Sequence, residues 1–149
     1  MGLDVGEKTI GVAISDPLGY SAQGITVIAR QSLPKDLDQL KKLVMDYHVT
    51  AIVVGLPLSL NSTLGPQAEK VKYFVKKLEK AIPLPLEYID ERFSTTMAER
   101  TLLAADVSRQ KRKGVIDKMA AQIILQSFLD RRAHRAKGQI KEECYLDVD

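Results

Sequence analysis

The sequence predicts an α/β domain with one mixed β-sheet and helices on both of its faces. Three runs rich in Val, Ile and Ala open the chain over residues 2–5, 10–16 and 21–29, and short turns separate them. Strands joined by such turns form an antiparallel meander. Helical segments then alternate with single apolar runs, which is typical of parallel strands joined by crossover helices.

The first helix and the fourth strand follow the meander directly. Apolar residues at helical spacing predict the helix, and they are Leu37, Leu40, Leu43, Val44 and Tyr47. The segment TAIVVGLP then spans residues 50–57. A short, continuous apolar run of this kind indicates a strand that is buried on both faces.

A second helix and a fifth strand repeat the alternation. Pro66 opens the helix, since proline is tolerated at the first helical position. The apolar face of this helix consists of Val71, Phe74, Val75, Leu78 and Ile82. The segment LPLEYID over residues 84–90 predicts the next strand, and a T-x-x-E capping box at Thr96 and Glu99 predicts a helix to about residue 105.

The last predicted helix runs from Val115 to Arg132, after a basic segment that we expect to be a loop. This loop contains Arg109, Lys111, Arg112 and Lys113. The sequence from residue 138 to residue 149 is polar and mixed, and it has no predicted structure. We therefore assign residues 1–137 to one domain and residues 138–149 to a C-terminal tail.

Composition narrows the class of protein. The chain has 149 residues, of which 45% are hydrophobic and 28% are charged, and no apolar run approaches the roughly 20 residues of a membrane span. We expect neither a membrane segment nor a signal peptide. Cys144 is the single cysteine, so an intramolecular disulfide is impossible and a cytoplasmic location fits.

The net charge of +3 is mild, but its distribution is uneven. Basic residues concentrate in the last third of the chain, at Arg109, Lys111, Arg112, Lys113, Lys118, Arg131, Arg132, Arg135, Lys137 and Lys141. Such a cluster has two interpretations, a face that binds phosphates or an ordinary solvated surface. Aromatic content is only 5%, and we expect most of Tyr20, Tyr73 and Tyr88 to be core residues.

Acidic residues stand at inward-facing positions of three predicted elements. Asp4 lies in the first strand, where aspartate is disfavoured, and Asp90 and Glu91 lie at the end of the last strand. Asp117 is in line with the apolar face of the last helix, formed by Ala120, Ala121, Ile124, Leu125, Phe128 and Leu129. Carboxylates brought close together need protons or a metal between them, and oxygen ligands suit Mg²⁺ or Mn²⁺.

Each acidic residue also has a structural interpretation. Asp4 fits a glycine-flanked turn, Asp117 fits a helix start that is favoured by the dipole, and Asp90 with Glu91 fits a solvated loop. We assign Gly6 and Gly11 to the turn of the first hairpin. These alternatives stay open on the residue patterns alone.

Four blocks of sequence, in order, resemble the YqgF family, which is also called RuvX. The blocks read GLDVGEKTIGVAISDPLG, VVGLPLSLNSTLGPQA, DERFSTTMAE and VSRQKRKGVIDKMAAQIILQSFLD, and the resemblance covers roughly residues 2–131. Members are described as Holliday-junction resolvases or as pre-16S rRNA nucleases. The resemblance implies an RNase H-like fold with strand order 3-2-1-4-5. It also implies a cytoplasmic bacterial protein that processes the 5′ end of pre-16S rRNA.

The resemblance also implies a catalytic site. Asp4, Glu91 and Asp117 are the expected catalytic residues and the ligands of one or two Mg²⁺ or Mn²⁺ ions. We prefer Glu91 to Asp90 because its strand is expected to lie one strand away from that of Asp4, about 10 Å across the sheet, which a longer side chain spans better. The residues expected to bind the phosphates of the substrate are Arg92, Arg109, Lys111, Arg112 and Lys113.

Two other functions remain open beside rRNA processing. A Holliday-junction resolvase would cut four-way DNA junctions symmetrically, which requires a dimer. A non-catalytic module would bind RNA or a ribosomal particle. This alternative is supported by the lack of an acid after AIVVGLP, where related junction resolvases carry one and this chain offers Asn61 as the nearest polar candidate. The family resemblance makes pre-rRNA the expected partner and branched DNA the alternative. The choice between monomer and homodimer stays open.

Overall fold

The computed structural model describes residues 1–57, 65–90 and 109–146, with side chains described over residues 114–137 of the last range. In these ranges the strands are β1 (Gly2–Val5), β2 (Thr9–Ser15), β3 (Ala22–Ala29), β4 (Ile52–Leu56) and β5 (Leu86–Asp90). The helices are α1 (Leu33–Asp46), α2 (Pro66–Ala81) and α3 (Arg109–Leu146). The predicted helix over residues 96–105 lies outside the described residues.

The strands form one mixed sheet in the order β3-β2-β1-β4-β5. β1 pairs antiparallel with β2 and parallel with β4, while β2 pairs antiparallel with β3 and β4 pairs parallel with β5. The predicted meander and the order implied by the resemblance are both confirmed. Because β1, β4 and β5 run in the same direction, their carboxyl ends meet at one edge of the sheet, where α/β proteins bind ligands.

Strand alternation divides the sheet into two packed faces. On one face, Leu3 and Val12 join the buried cluster that α1 and α2 complete with Leu40, Phe74 and Leu78. On the other face, a smaller cluster places Ala13, Val53 and Ile89 against Ala121, Ile124, Leu125 and Leu129 of α3. Helices therefore cover both faces, as the sequence predicts.

The α3 face of the sheet is lined by glycines, and this allows the helix to pack unusually close. A β-carbon at Gly2 would lie 2.7 Å from Leu125 Cβ, and one at Gly24 would lie 2.9 Å from the Lys118 carbonyl oxygen. Glutamine side chains reinforce the contact, since Gln126 Oε1 accepts a hydrogen bond from the Ala22 amide at 2.9 Å. The position of α3 over β1, β2 and β3 thus depends on the glycines of these strands as much as on apolar contacts.

α3 is much longer than the sequence predicts. It begins at Arg109 rather than Val115 and continues to Leu146, so the expected basic loop is wrong. Lys, Arg and Gln are good helix formers, and the packed apolar stripe outweighs the roughly 1 kcal/mol that a helical glycine such as Gly114 costs. The helix passes residue 137 without a break. The domain boundary placed at that residue stays a prediction.

We expected most of the three tyrosines in the core, but all three lie at the surface. Tyr20 is 74% exposed, Tyr73 is 60% exposed and Tyr88 is 39% exposed. Tyr20 belongs to the β2–β3 turn, Tyr73 is not among the buried residues of α2, and Tyr88 lies on an edge strand of the described sheet. Aliphatic side chains and Phe74 fill the core without them. None of the helices in the described ranges has the length and apolar content that a membrane crossing requires.

Candidate active site

Asp4 is a strand residue of the α3 face. It pairs with Gly11 across the β1–β2 ladder and is half-buried. Directly opposed residues of antiparallel strands point to the same face, and a β-carbon on Gly11 would point at α3. The carboxylate of Asp4 is therefore directed toward α3, and the interpretation of Asp4 as a turn residue is wrong.

Asp117 of α3 lies against Gly11, the residue of β2 that pairs with Asp4. It lies about two turns inside α3, so it is not a helix-start residue, and it is half-buried on the side that faces the sheet. A β-carbon on Gly11 would lie 2.1 Å from the carbonyl oxygen of Asp117. Because Gly11 has no side chain, the backbone of Asp117 can lie directly against β2. This contact is at the position of β2 that pairs with Asp4.

Gly11 is consequently a packing residue and not a turn residue, which corrects the assignment made from the sequence. The turn of the β1–β2 hairpin lies between Gly6 and Thr9, where the Gly6 amide donates a hydrogen bond to the Thr9 carbonyl at 2.8 Å. Any other residue at position 11 would push Asp117 away from β2 and from Asp4.

Thr9 orients the carboxylate of Asp117. Its hydroxyl Oγ1 donates a hydrogen bond to Asp117 Oδ2 at 2.7 Å. Thr9 lies two residues before Gly11 on β2, so strand alternation directs it to the same face. Sequence reasoning missed Thr9, although its parity with Gly11 in the hairpin was a usable signal.

The end of β5 shows the direction of Asp90, one of the two acidic candidates in this segment. Asp90 pairs with Leu56 in the parallel ladder, and Leu56 packs on the α1–α2 cluster. Residues paired in register share a face, so Asp90 is directed away from the face that carries Asp4. Glu91 and Arg92 lie outside the described residues, as does Asn61.

The four remaining basic candidates belong to the start of α3. Arg109, Lys111, Arg112 and Lys113 precede Asp117 on the same helix, and their side chains lie outside the described ones. With a rise of about 1.5 Å per residue, their backbones lie roughly 6–12 Å from that of Asp117 along the helix axis. The helix therefore brings the basic segment next to the candidate acids.

Oxygen is the donor atom that this arrangement offers. Asp4 and Asp117 contribute carboxylates from β1 and α3 on one face of the sheet, and hard divalent ions such as Mg²⁺ and Mn²⁺ prefer such ligands. Over residues 1–57, 65–90 and 114–137, no group of three His, Cys, Asp or Glu residues forms a metal cluster. The expected third acid, Glu91, is not among those residues.

Comparison with solved structures defines the class of fold. RuvC of Thermus thermophilus, in complex with a Holliday junction substrate, aligns with a TM-score of 0.56 and 14% identity over 89% of this chain and 93% of RuvC. The Fowlpox virus resolvase, in complex with Holliday junction DNA, aligns with a TM-score of 0.52 and 10% identity over 87% and 95%. The fold is therefore the RNase H-like fold of the resolvases, as predicted.

Comparison of sequences defines the family. The model described as "RuvX: Holliday junction resolvase" matches residues 1–131. A protein of Natranaerobius thermophilus named "Putative pre-16S rRNA nuclease" is 55% identical over 135 residues, which cover 91% of this chain and 96% of that protein. A protein of Moorella thermoacetica with the same name is 56% identical over 131 residues, or 88% and 94%. This chain belongs to the RuvX family.

Proposed function

We propose that this protein is a metal-dependent nuclease that processes the 5′ end of pre-16S rRNA. The observation that carries the proposal is the placement of Asp4 and Asp117 on one face of the sheet, where Gly11 pairs with Asp4 and lies against the Asp117 backbone and Thr9 holds the Asp117 carboxylate. The names of relatives at about 55% identity supply the reaction and the substrate. A hydrolase acting on phosphodiester bonds fits both the placement of these acids and the names of the relatives.

Asp4, Asp117 and Glu91 are the residues that would hold Mg²⁺ or Mn²⁺ in this proposal. Glu91 is preferred because Asp90 is directed to the opposite face of the sheet. A bound divalent ion supplies Lewis acidity and lowers the pKa of an attacking water. Thr9 fixes the rotamer of Asp117, which keeps one carboxylate oxygen engaged and leaves the other for the ligand set.

Cations next to the acids would hold the substrate. Arg92 follows Glu91 directly, and Arg109, Lys111, Arg112 and Lys113 occupy the first turns of α3. Contacts to phosphates position a nucleic acid without reading its bases. On this proposal the partner is precursor rRNA, either free or in a ribosomal particle, and the protein works in the cytoplasm as a monomer or homodimer.

Replacing Asp4 or Asp117 by Asn tests the proposal. Each variant removes one charged ligand, and we expect cleavage of a 5′-extended 16S rRNA fragment to fall about 100-fold or more in Mg²⁺ or Mn²⁺. Chelation of the metal by EDTA should abolish cleavage by the unchanged protein. Asp38→Asn, at an exposed position of α1, is the matched control and should leave the rate unchanged.

Two outcomes would contradict the proposal. Full activity in both site variants would show that Asp4 and Asp117 do not act in cleavage. Absence of cleavage by the unchanged protein in either metal, with RNA binding intact, would instead favour the non-catalytic binding module.

Resolution of Holliday junctions is the second candidate, and the description of the matching family favours it. The same assay decides between the two when a four-way DNA junction replaces the rRNA fragment. Paired, symmetric cuts by a dimer would support junction resolution. Cleavage confined to the 5′ extension of the rRNA would support the main proposal.

A further inference from the structure

The second half of α3 leaves the sheet and carries a basic surface. Leu129 is the last residue of α3 that is buried in the described part of the chain. Every residue from 131 to 137, with the sequence RRAHRAK, is exposed. A helical segment that is exposed on all sides does not contribute a core face, so burial does not explain why it carries three arginines.

Within the described side chains, the cations of this segment form no ion pair. Among residues with described side chains, the ion pairs join Arg30 to Asp36 and Lys70 to Glu7, and none includes an arginine of α3. The neighbouring acid, Asp130, instead accepts a hydrogen bond from Gln126. Arg131 and Arg135 stand four residues apart on one face, a like-charge spacing that slightly destabilises a helix.

A groove concentrates three of these arginines next to β5. Arg131, Arg132 and Arg135 line it with Phe128, Glu87 and Ile89, and its volume is about 320 Å³. We call this surface, defined by Arg131, Arg132 and Arg135, the arginine groove. Its one carboxylate, Glu87, forms no ion pair with them within the described residues, so the groove keeps a net positive charge.

We propose that the arginine groove binds the phosphate backbone of the substrate nucleic acid at a distance from the site of cleavage. Arginine is suited to phosphates because its planar guanidinium donates two parallel hydrogen bonds. Arg131 lies fourteen residues beyond Asp117 on α3, which is roughly 21 Å along the helix axis. The inference rests on the proposed nuclease function, because that function supplies the nucleic acid.

Exchange of the three arginines for glutamine tests this inference. The probe is a fluorescein-labelled, 5′-extended 16S rRNA fragment, titrated in EDTA between 50 and 200 mM KCl with the full chain carrying R131Q, R132Q and R135Q. We expect roughly tenfold weaker binding at 100 mM KCl, and a slope of log affinity against log salt that is smaller by about 2–3. Thermal unfolding should be unchanged, because these side chains are exposed.

α2 provides a matched control. Lys76, Lys77 and Lys80 have the same spacing as the three arginines and form no ion pair among the described residues, but α2 packs on the other face of the sheet. The variant with K76Q, K77Q and K80Q therefore removes the same charge elsewhere, and it should bind the RNA with nearly unchanged affinity and salt slope. If the triple arginine variant fails to fold, R131Q and R135Q singly should each lower the slope by about 1.

Two results would overturn the inference. Equal losses in the arginine and lysine variants would show a general charge effect, and unchanged binding in the arginine variants would show that the groove does not bind the RNA. Because binding is measured without divalent metal, the result is independent of cleavage. A protein that binds through the groove but never cuts would retain this inference and lose only the proposed nuclease activity.

Discussion

At the scale of single residues, Gly11 shows that an absent side chain can position a carboxylate. It lies in the middle of β2, where glycine costs strand stability, and its backbone is not in the left-handed region. Its value is the space that it leaves for Asp117 opposite Asp4. Glycine at this position therefore weakens the strand but allows Asp117 to lie close to the strand position that pairs with Asp4.

Gly11→Ala should damage both stability and activity. The new β-carbon would lie 2.1 Å from a backbone oxygen, which cannot rotate away, so α3 must shift. We expect the free energy of unfolding in urea to fall by about 2 kcal/mol or more and cleavage to fall with it. Gly114→Ala is the control, since nothing lies within 4 Å of that position, and it should stabilise the helix by about 0.5–1 kcal/mol. A stable and fully active Gly11→Ala protein would contradict this account.

Thr9→Val tests the orientation of Asp117 without a change of volume. Valine removes the hydroxyl that donates to Asp117 Oδ2 but keeps the shape and strand propensity of threonine. We expect the Mg²⁺ concentration for half-maximal cleavage to rise about 10–100-fold, as for other groups that orient a ligand. Thr9→Ser retains the hydroxyl and should retain metal affinity. Unchanged Mg²⁺ dependence in Thr9→Val would show that Asp117 needs no such support.

At the scale of elements, the β1–β2 hairpin is held in place by the residue that follows β3. The Arg30 amide donates to the Lys8 carbonyl at 2.9 Å, and Arg30 Nη1 donates to the Gly6 carbonyl at 2.9 Å. Asp36, in the first turn of α1, accepts from Arg30 Nε at 3.3 Å, and its side chain is 2% exposed. One arginine therefore connects the hairpin that carries Asp4 to β3 and α1.

A second connection of the hairpin is weaker. Lys70 of α2 contacts Glu7 in the turn, but both side chains are more than 60% exposed. The hydrogen bond and the charge of Lys70 lower the pKa of Glu7. Exposed pairs of this kind contribute little stability, so the Arg30–Asp36 pair is the principal attachment.

Asp36→Ala should therefore destabilise the protein markedly. The substitution leaves Arg30 Nε and the Gln31 amide without the carboxylate that accepts from them, and Asp36 is almost fully buried. We expect a loss of about 2–3 kcal/mol in chemical unfolding, below the value for a fully buried pair because Arg30 is 26% exposed. Asp38→Ala, exposed on the same helix, should stay within about 0.5 kcal/mol. Equal stability of the two variants would refute the role of this pair.

At the scale of the whole molecule, α3 joins the sheet to the two surfaces that we propose to be functional. It contacts all five strands of the described sheet, and it carries Asp117, the basic first turns and the arginine groove. Catalytic and substrate-binding groups on one rigid helix keep a constant separation. Because this separation is fixed, we expect phosphates bound in the arginine groove to strengthen the binding of the same nucleic acid at the acidic site.

Removal of residues 138–149 tests the predicted domain boundary. In the described part of the chain the core contribution of α3 ends at Leu129, and residues 131–137 are exposed. A chain that ends at Lys137 should therefore melt within about 2–4 °C of the full chain, a shift that corresponds to no more than about 1 kcal/mol. A loss of cooperative melting would show that the end of α3 belongs to the folded domain.

The sequence by itself determined the order of the elements, the mixed sheet and the faces of its helices. These follow from apolar periodicity, as at Phe74 in α2 or Leu125 in α3, and periodicity is a local property of the chain. It also marked Asp4 and Asp117 as inward-facing. The roles of Glu91 and the basic residues near it stay predictions, which the experiments above test.

The tertiary structure alone decided how the site is assembled. Gly11 as the point of approach, Thr9 as the partner of Asp117 and the orientation of Asp90 away from Asp4 depend on strand register and on the position of α3. Strand parity can place Thr9 on the α3 face, but it does not name the partner. Contacts between residues about a hundred positions apart, such as Thr9 with Asp117, leave no local signal of which residues meet, so only the folded chain reveals them.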